Sequence, residues 1–337
     1  MSGREPLFDH LLRLSDDTGV LEHARGAVPR RRDGYCTDDA ARALVVIGRQ
    51  PSPPAALTAL AERCLAFLVH AQAGNGASHN RLGYDRRWQD RPGLGDWWGR
   101  ALWGSGTAAA RGRSARFRAD ALTHFENGAA CRSPAPRAMA FAALGAAEVL
   151  TVRSDHGPAR DLLKVAGDTL AGRGDAAWPW PEARLTYANA HWPDALIAAG
   201  TALEDDHLAE AGLRLLDWLL DVETAGGHLS LTPAGGWGPG DPRPGFDQQP
   251  IEAAALADAC ARAFLLTGNI GYVAGVNRAV GWFLGDNDTH VAMYDPQTGG
   301  GYDGLERDGR NDNQGAESTI ALISTLQQGI RLTGGAP

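Results

Sequence analysis

Apolar positions along the chain recur at helical spacing. Leu7, Leu11, Leu12 and Leu14 open the series. Further helical runs cover Thr37–Arg49, Ala55–Ala73, Trp98–Ala110, Ala115–Glu126, Pro136–Leu150, Ala159–Ala171, Asn189–Ala202, Asp206–Asp221, Gln249–Thr267, Tyr272–Leu284 and Gly315–Leu332. Thr37 and Asp38 are the capping candidates for the second of these twelve predicted helices. Only Gly227–Leu231 alternates as a short strand would.

The helices differ in character. Alternate ones, including the stretches Ala40–Ile47 and Ala138–Leu144, are small and apolar on nearly every side, whereas Leu208–Trp218 carries one apolar stripe and one polar face. A helix apolar all round belongs inside a fold, and an amphipathic one belongs outside. Six inner and six outer helices follow. Polar-then-small openings near Asp39, Arg100, Arg137, Asp194, Glu252 and Glu317 recur at intervals that hold a helical hairpin and a variable loop. Such recurrence marks an array or a closed ring. The expected fold is an all-α (α/α)6 toroid over residues 1–337, read as one domain because no Pro/Ser-rich linker divides it. An open superhelix of helix pairs is the alternative.

Composition narrows the partners. The chain is 44% hydrophobic and 21% charged with a formal net charge of −8, so it lacks the basic footprint that nucleic acid requires. Lys164 is the only lysine, and the basic run Arg30-Arg31-Arg32 reads as solvated surface. No stretch approaches the roughly 20 apolar residues of a membrane span. Charges in Met1–Asp17 fall where a signal peptide's apolar core would lie, and Cys36, Cys64, Cys131 and Cys260 are scattered. A disulfide framework or zinc site is not expected, and a cytoplasmic location is.

In a toroid every inner helix begins at the same end, and the motif-rich loops of this chain precede the inner helices. Gly34–Asp39, Tyr84–Trp88, Gly95–Arg100, Trp178–Glu182, His191–Asp194, Phe246–Glu252 and Asn311–Glu317 should therefore meet in one funnel lined by helix N-termini. Seven of the ten tryptophans, Trp88, Trp97, Trp98, Trp178, Trp180, Trp192 and Trp237, lie in or beside these loops. Indole faces stack on sugar C–H faces, while carboxylates, amides and guanidinium groups pair with hydroxyls. Trp103, Trp218 and Trp282, within helices, read as core. For Trp88, Trp97, Trp180 and Trp192, sugar contact and core filling both stay open.

Carboxylates are the second signal. Glycosidic cleavage needs a protonated acid at the leaving oxygen and a second carboxylate roughly 5–9.5 Å away. Asp38, Asp39, Glu252 and Glu317 open inner helices that a closed ring places around one seam. The competing reading makes Asp38 a cap and the two glutamates first-turn acids that complement helix dipoles. Asp96, Asp194, Asp247 and Asp312 stand in reserve. Metal and cofactor chemistry finds no pattern: there is no HExxH pair, no EF-hand spacing at Asp286–Asp288 or Asp303–Asp312, and no GxSxG elbow. The glycine-rich Gly235–Gly240 runs into more loop rather than a helix. Asp38-Asp39 also lacks the spaced third Asp of a diphosphate-binding terpenoid toroid.

Taken together, Gly34-Tyr35-Cys36-Thr37-Asp38-Asp39-x-x-Arg42-Ala43-Leu44, Tyr84-Asp85-Arg86-Arg87-Trp88, Gly99-Arg100-Ala101-Leu102-Trp103, Phe246-Asp247-Gln248-Gln249-Pro250-Ile251-Glu252 and Asn313-Gln314-Gly315-Ala316-Glu317-Ser318-Thr319 resemble a bacterial group of (α/α)6-barrel, glycosidase-related proteins. Members are often labelled glycosyltransferase and occur beside β-mannoside phosphorylases. The resemblance runs from about Asp9 to Leu332, with departures at Ala40 and Trp97-Trp98 that bear on substrate rather than fold. It implies carbohydrate processing.

The expectation is a metal-independent glycoside hydrolase acting on an oligosaccharide with inversion. Glu317 would serve as acid and Asp39 or Glu252 as base, with Asp38 adjoining. Tyr35, Arg86, Trp88, Asp96, Arg100, Trp180, His191, Trp192, Asp194, Asp247 and Gln249 would hold the sugar. A sugar epimerase or isomerase built around His191, and a non-catalytic glycan-binding partner of a transferase, are the alternatives.

Overall fold

The computed structural model describes residues 5–172, 174–175 and 177–333. Its helices are α1 (Asp9–Arg13), α2 (Thr37–Gly48), α3 (Ala55–Ala71), α4 (Asp96–Arg111), α5 (Ala115–Ala129), α6 (Pro136–Leu150), α7 (Gly157–Leu170), α8 (His191–Leu203), α9 (Asp206–Val222), α10 (Pro250–Thr267), α11 (Ile270–Leu284) and α12 (Ala316–Thr333). The even-numbered helices touch in the cycle α2–α4–α6–α8–α10–α12 and back to α2, so the inner ring closes. The odd-numbered helices pack outside it, and the short α1 rests on α12 and α3 where chain start and chain end meet. This is an (α/α)6 toroid, and closure excludes the open superhelix.

The two kinds of helix are buried as their sequences require. From Arg137 to Leu150 every residue of α6 is buried. In α9 only one stripe, including Leu215, Leu216, Leu219 and Leu220, turns inward. Each such leucine contributes about 1.5–3 kcal/mol on burial. Small residues set the spacing of the inner ring. A Cβ at Gly106 would stand 2.3 Å from the Gly145 carbonyl oxygen, so α4 and α6 meet backbone to backbone. Gly106→Ala should therefore cost about 1–3 kcal/mol in a urea titration through overpacking. Gly157→Ala, where nothing lies within 4 Å, should stay within about 0.5 kcal/mol of wild type.

Loops on the N-terminal side of the inner helices carry four two-stranded antiparallel ribbons. These are β1 (Ala24–Arg25) with β2 (Val28–Pro29), β3 (Tyr35–Cys36) with β4 (Arg81–Leu82), β5 (Thr224–Ala225) with β6 (His228–Leu229), and β7 (Gly304–Glu306) with β8 (Gly309–Asn311). The strand expected at Gly227–Leu231 is β6. The other ribbons have only two or three residues per strand, too few to show alternation. One of them positions the site: Tyr35 opposite Leu82 and Cys36 opposite Arg81 fix the chain just before α2. All four cysteines are free, and among the described residues no helix is long and apolar enough to cross a membrane.

Candidate active site

The start of α2 is held differently from the sequence expectation. Cys36 is the cap: its Sγ accepts from the Asp39 N–H at 3.4 Å and donates to Asp39 Oδ2 at 3.0 Å. Thr37 instead gives its hydroxyl to the His79 carbonyl, and Asp38 pairs with Arg100 Nε at 3.2 Å. Both expected caps are thus occupied elsewhere, which leaves the thiol nearest the free N–H groups.

One guanidinium organises the centre. Arg42 donates through Nη2 to Asp39 Oδ1 at 2.9 Å and through Nη1 to Glu317 Oε2 at 2.6 Å, tying α2 to α12. Arg42 stands three positions after Asp39, which puts both on one face of α2. Asp39 is 1% exposed, whereas the Glu317 side chain is 39% exposed. Their acidities diverge accordingly. Burial raises Asp39 to about 6 against the pull of Arg42 and the Cys36 thiol. Burial also works against charge on Glu317, but Arg42, with Arg100 behind it, outweighs this and leaves the carboxyl below its ordinary value. Glu317 alone of the pair reaches open space, and it does so as an anion. The acid role expected of Glu317 does not fit that electrostatics.

Arg100, buried over the Phe141 ring at 4.0 Å, lies among Asp38, Glu317 and Asp96. Asp96 is raised above its usual value by burial, with Arg100 opposing and Asp38 adding repulsion. Its Oδ2 accepts the Tyr187 hydroxyl. Tyr187 is held in turn through its carbonyl by Arg137 Nη1 at 2.6 Å, and Arg137 also binds Glu182 and Thr186. One carboxyl held below its ordinary value and one held above it thus act on the same buried guanidinium.

Below this ring a narrow axial cavity runs between α2, α4, α8, α10 and α12. His191 lines it, edge-on to Trp103 and Phe141 at 5.0 and 5.5 Å. Burial lowers its pKa, so the imidazole is neutral. Its Nδ1 lacks a hydrogen-bond partner, since Asp194 Oδ2 stands 3.8 Å away. Asp194 is buried and ion-paired with Arg262, so it does not line the cavity.

Several expected site residues are placed elsewhere. Glu252, 2% exposed, accepts from the Ala188 N–H, the Asn189 N–H at 3.1 Å and Asn189 Nδ2 at 3.2 Å. It clasps the chain entering α8 and does not share the Asp39–Glu317 seam; burial and nearby Glu223 push its acidity upward in pKa. Trp180, 1% exposed, packs on Trp192 and Trp218, and the Trp192 indole donates to the Leu170 carbonyl. Both fill the wall: the loop that carries Trp180 folds back into it, and Trp192 lies in the first turn of α8 with its ring turned inward. Trp88 stacks on His79 at 4.7 Å and meets Phe67 edge-on, and Trp97 donates to the Ser78 carbonyl. Tyr35 is buried with its hydroxyl on Asp16, and Arg86 is exposed and paired with Asp17. Gln249 immediately precedes α10 and makes no capping bond. Asp247 is half-buried beside Gly304; one carboxyl oxygen has no partner, and burial with Glu306 and Asp303 raises it to about 6.

Arg42, Tyr187 and Arg137 were missing from the expected site. Arg42 was signalled by its spacing from Asp39, whereas Tyr187 and Arg137 act through a loop whose path local sequence does not reveal. Among the described residues no group of three or more His, Cys, Asp or Glu side chains is arranged to hold a metal ion.

No family model matches this chain, and no curated protein does. Solved structures do. A sugar epimerase from a ruminal bacterium superposes with a TM-score of 0.70 at 11% identity, covering 98% of this chain and 96% of that one. Cellobiose 2-epimerase from Bacillus thermoamylovorans B4167 gives 0.72 at 10% identity, covering 96% of each chain. A cellulase of C. cellulolyticum in complex with cellobiose gives 0.64 at 9% identity, covering 94% and 88%. At such identities the likeness establishes the toroid and nothing finer.

Proposed function

We propose that this chain is a carbohydrate-active enzyme that hydrolyses glycosidic bonds with inversion, with Glu317 as base and Asp96 as acid. The reading is supported by the placing of both carboxyls close enough to Arg100 to act on its charge, with their acidities displaced in opposite directions. Two titratable groups driven apart by their surroundings mark an acid and a base. Glu317 would take a proton from water as that water's oxygen bonds to the anomeric carbon. The bond from that carbon to the leaving oxygen breaks, and the leaving oxygen takes the proton of Asp96. Asp39, out of reach of any sugar, acts by holding Arg42.

The pH dependence follows from the directions. Falling pH protonates Glu317 and removes the base, so the acid limb of kcat/KM lies below the ordinary glutamate range. Rising pH ionises Asp96 and removes the acid, so the alkaline limb lies above the ordinary aspartate range. Asp96→Asn should lower the rate and abolish the alkaline limb while sparing the acid one. An alkaline limb unchanged in that variant would exclude Asp96 as the acid.

A second reading is sugar epimerisation or isomerisation, favoured by the neutral His191 in the cavity beside Arg42, Arg100 and Glu317. Two of the three structural neighbours described above are named as epimerases. The decisive experiment incubates manno- and gluco-oligosaccharides and their free sugars with the protein in deuterated water. Cleavage with an inverted product anomer supports hydrolysis. Solvent deuterium at a sugar carbon with every glycosidic bond intact supports the second reading, and neither result in any sugar removes both.

A further inference from the structure

The axial cavity is built in tiers, because its lining residues repeat once per helical turn. Arg42, Arg100, His191, Ile251 and Glu317 form the uppermost tier. One turn below, about 5.4 Å down each helix, stand Val46 on α2, Trp103 on α4, Ala254 on α10, and Ile320 and Ala321 on α12. A further turn down the shaft ends at Asp258 and Ser324. That end is already committed: Arg49 grips both Asp258 oxygens at 2.8 and 3.1 Å, and Gln328 donates to Oδ1 at 2.7 Å. The charged ring thus opens onto a mainly apolar sleeve, in which Trp103 carries the one polar side-chain atom, and the Asp258 carboxylate at the far end has its hydrogen bonds satisfied. The room is narrow: about 30 Å³ of it admits the centre of a water-sized group.

We infer that this shaft takes the methyl end of a short substituent on the sugar, either the C6 methyl of a 6-deoxyhexose or the methyl of an acetamido group. The inference rests on the proposed seat of the sugar between Asp96 and Glu317. A methyl group fits the sleeve and removes apolar surface from water. A hydroxymethyl group placed there would leave its hydroxyl facing Val46, Ala254, Ile320 and Ala321, whose side chains offer it no partner, so that the Trp103 indole N–H is the one polar side-chain group of that tier. For an acetamide, the N–H and C=O remain in the uppermost tier, where Glu317 accepts and the two guanidinium groups donate.

The test is isothermal titration of the wild-type protein with matched sugars. One arm compares D-fucose with D-galactose and L-rhamnose with L-mannose. The other compares N-acetylglucosamine with glucose and N-acetylmannosamine with mannose. In one arm the methyl-bearing member should bind about 10–200-fold tighter, and the arm that responds identifies the substituent. Ala321→Leu and Ala254→Leu, which fill the sleeve from facing helices, should bring that ratio close to unity in whichever variant retains the wild-type circular dichroism spectrum. Equal affinities in every pair, preference for the unmethylated sugar, no measurable binding, or a preference that survives filling in a folded variant overturns the inference. Binding requires no catalysis. Methyl-selective binding without cleavage therefore counts against hydrolysis alone, and cleavage without methyl selectivity counts against the shaft alone.

Discussion

Replacing Arg42 with alanine should destabilise the protein by about 3–5 kcal/mol, measured by urea denaturation at neutral pH. The magnitude is that of removing one partner from a buried ion pair, which strands the other charge in a poor solvent. Asp39 would be the stranded group. Its remaining partner is the Cys36 thiol, a weak donor, and it is shut off from water. Part of the loss is recoverable by neutralising the stranded carboxyl, so Arg42→Ala with Asp39→Asn should be more stable than Arg42→Ala alone. Glu317 would add little to the penalty, since its side chain reaches solvent. A loss below about 1 kcal/mol in the single variant would mean that Arg42 does not hold the seam between α2 and α12.

Glu317→Gln should lower kcat by about 10²–10⁴-fold, the usual contribution of a positioned base. The amide keeps the size and the hydrogen-bonding oxygen that Arg42 requires but cannot take a proton. Stability should therefore change little, and KM should move much less than kcat. Steady-state kinetics alongside thermal denaturation separates these effects. A variant that keeps wild-type turnover removes Glu317 from the chemistry, and one that loses turnover only because it unfolds leaves the residue a structural role.

Much of the architecture was legible in the chain. The contrast between Ala40–Ile47, apolar on nearly every side, and the one-sided Leu208–Trp218 separates inner from outer helices, because burial on all sides and on one side demand different sequences. The common mouth followed from the order of loops and helices. Single side chains were harder to place. Glu252 and Glu317 look alike in sequence, each a first-turn acid among small residues, yet one answers the backbone N–H groups of Ala188 and Asn189 and the other faces open space. The difference lies in the path of the loop before α8, which local sequence does not encode. Trp180 misled for the same reason: an indole in a Gly/Pro-rich loop suits a ligand or a wall equally, and the direction of the loop decides; Trp192 misled because its segment starts α8 and turns the ring into the wall. Cys36 displaced the expected caps because Thr37 and Asp38 found tertiary partners, against which local capping preference is weak.

The most direct test of the central claim is a crystal structure of Glu317→Gln with a bound oligosaccharide. The sugar ring should lie over Arg100, with the Asp96 carboxyl at the glycosidic oxygen and residue 317 on the opposite face, the two side chains roughly 6.5–9.5 Å apart with a water between residue 317 and the anomeric carbon. A sugar bound away from this mouth, or with both side chains on the same face of its ring, would contradict the account.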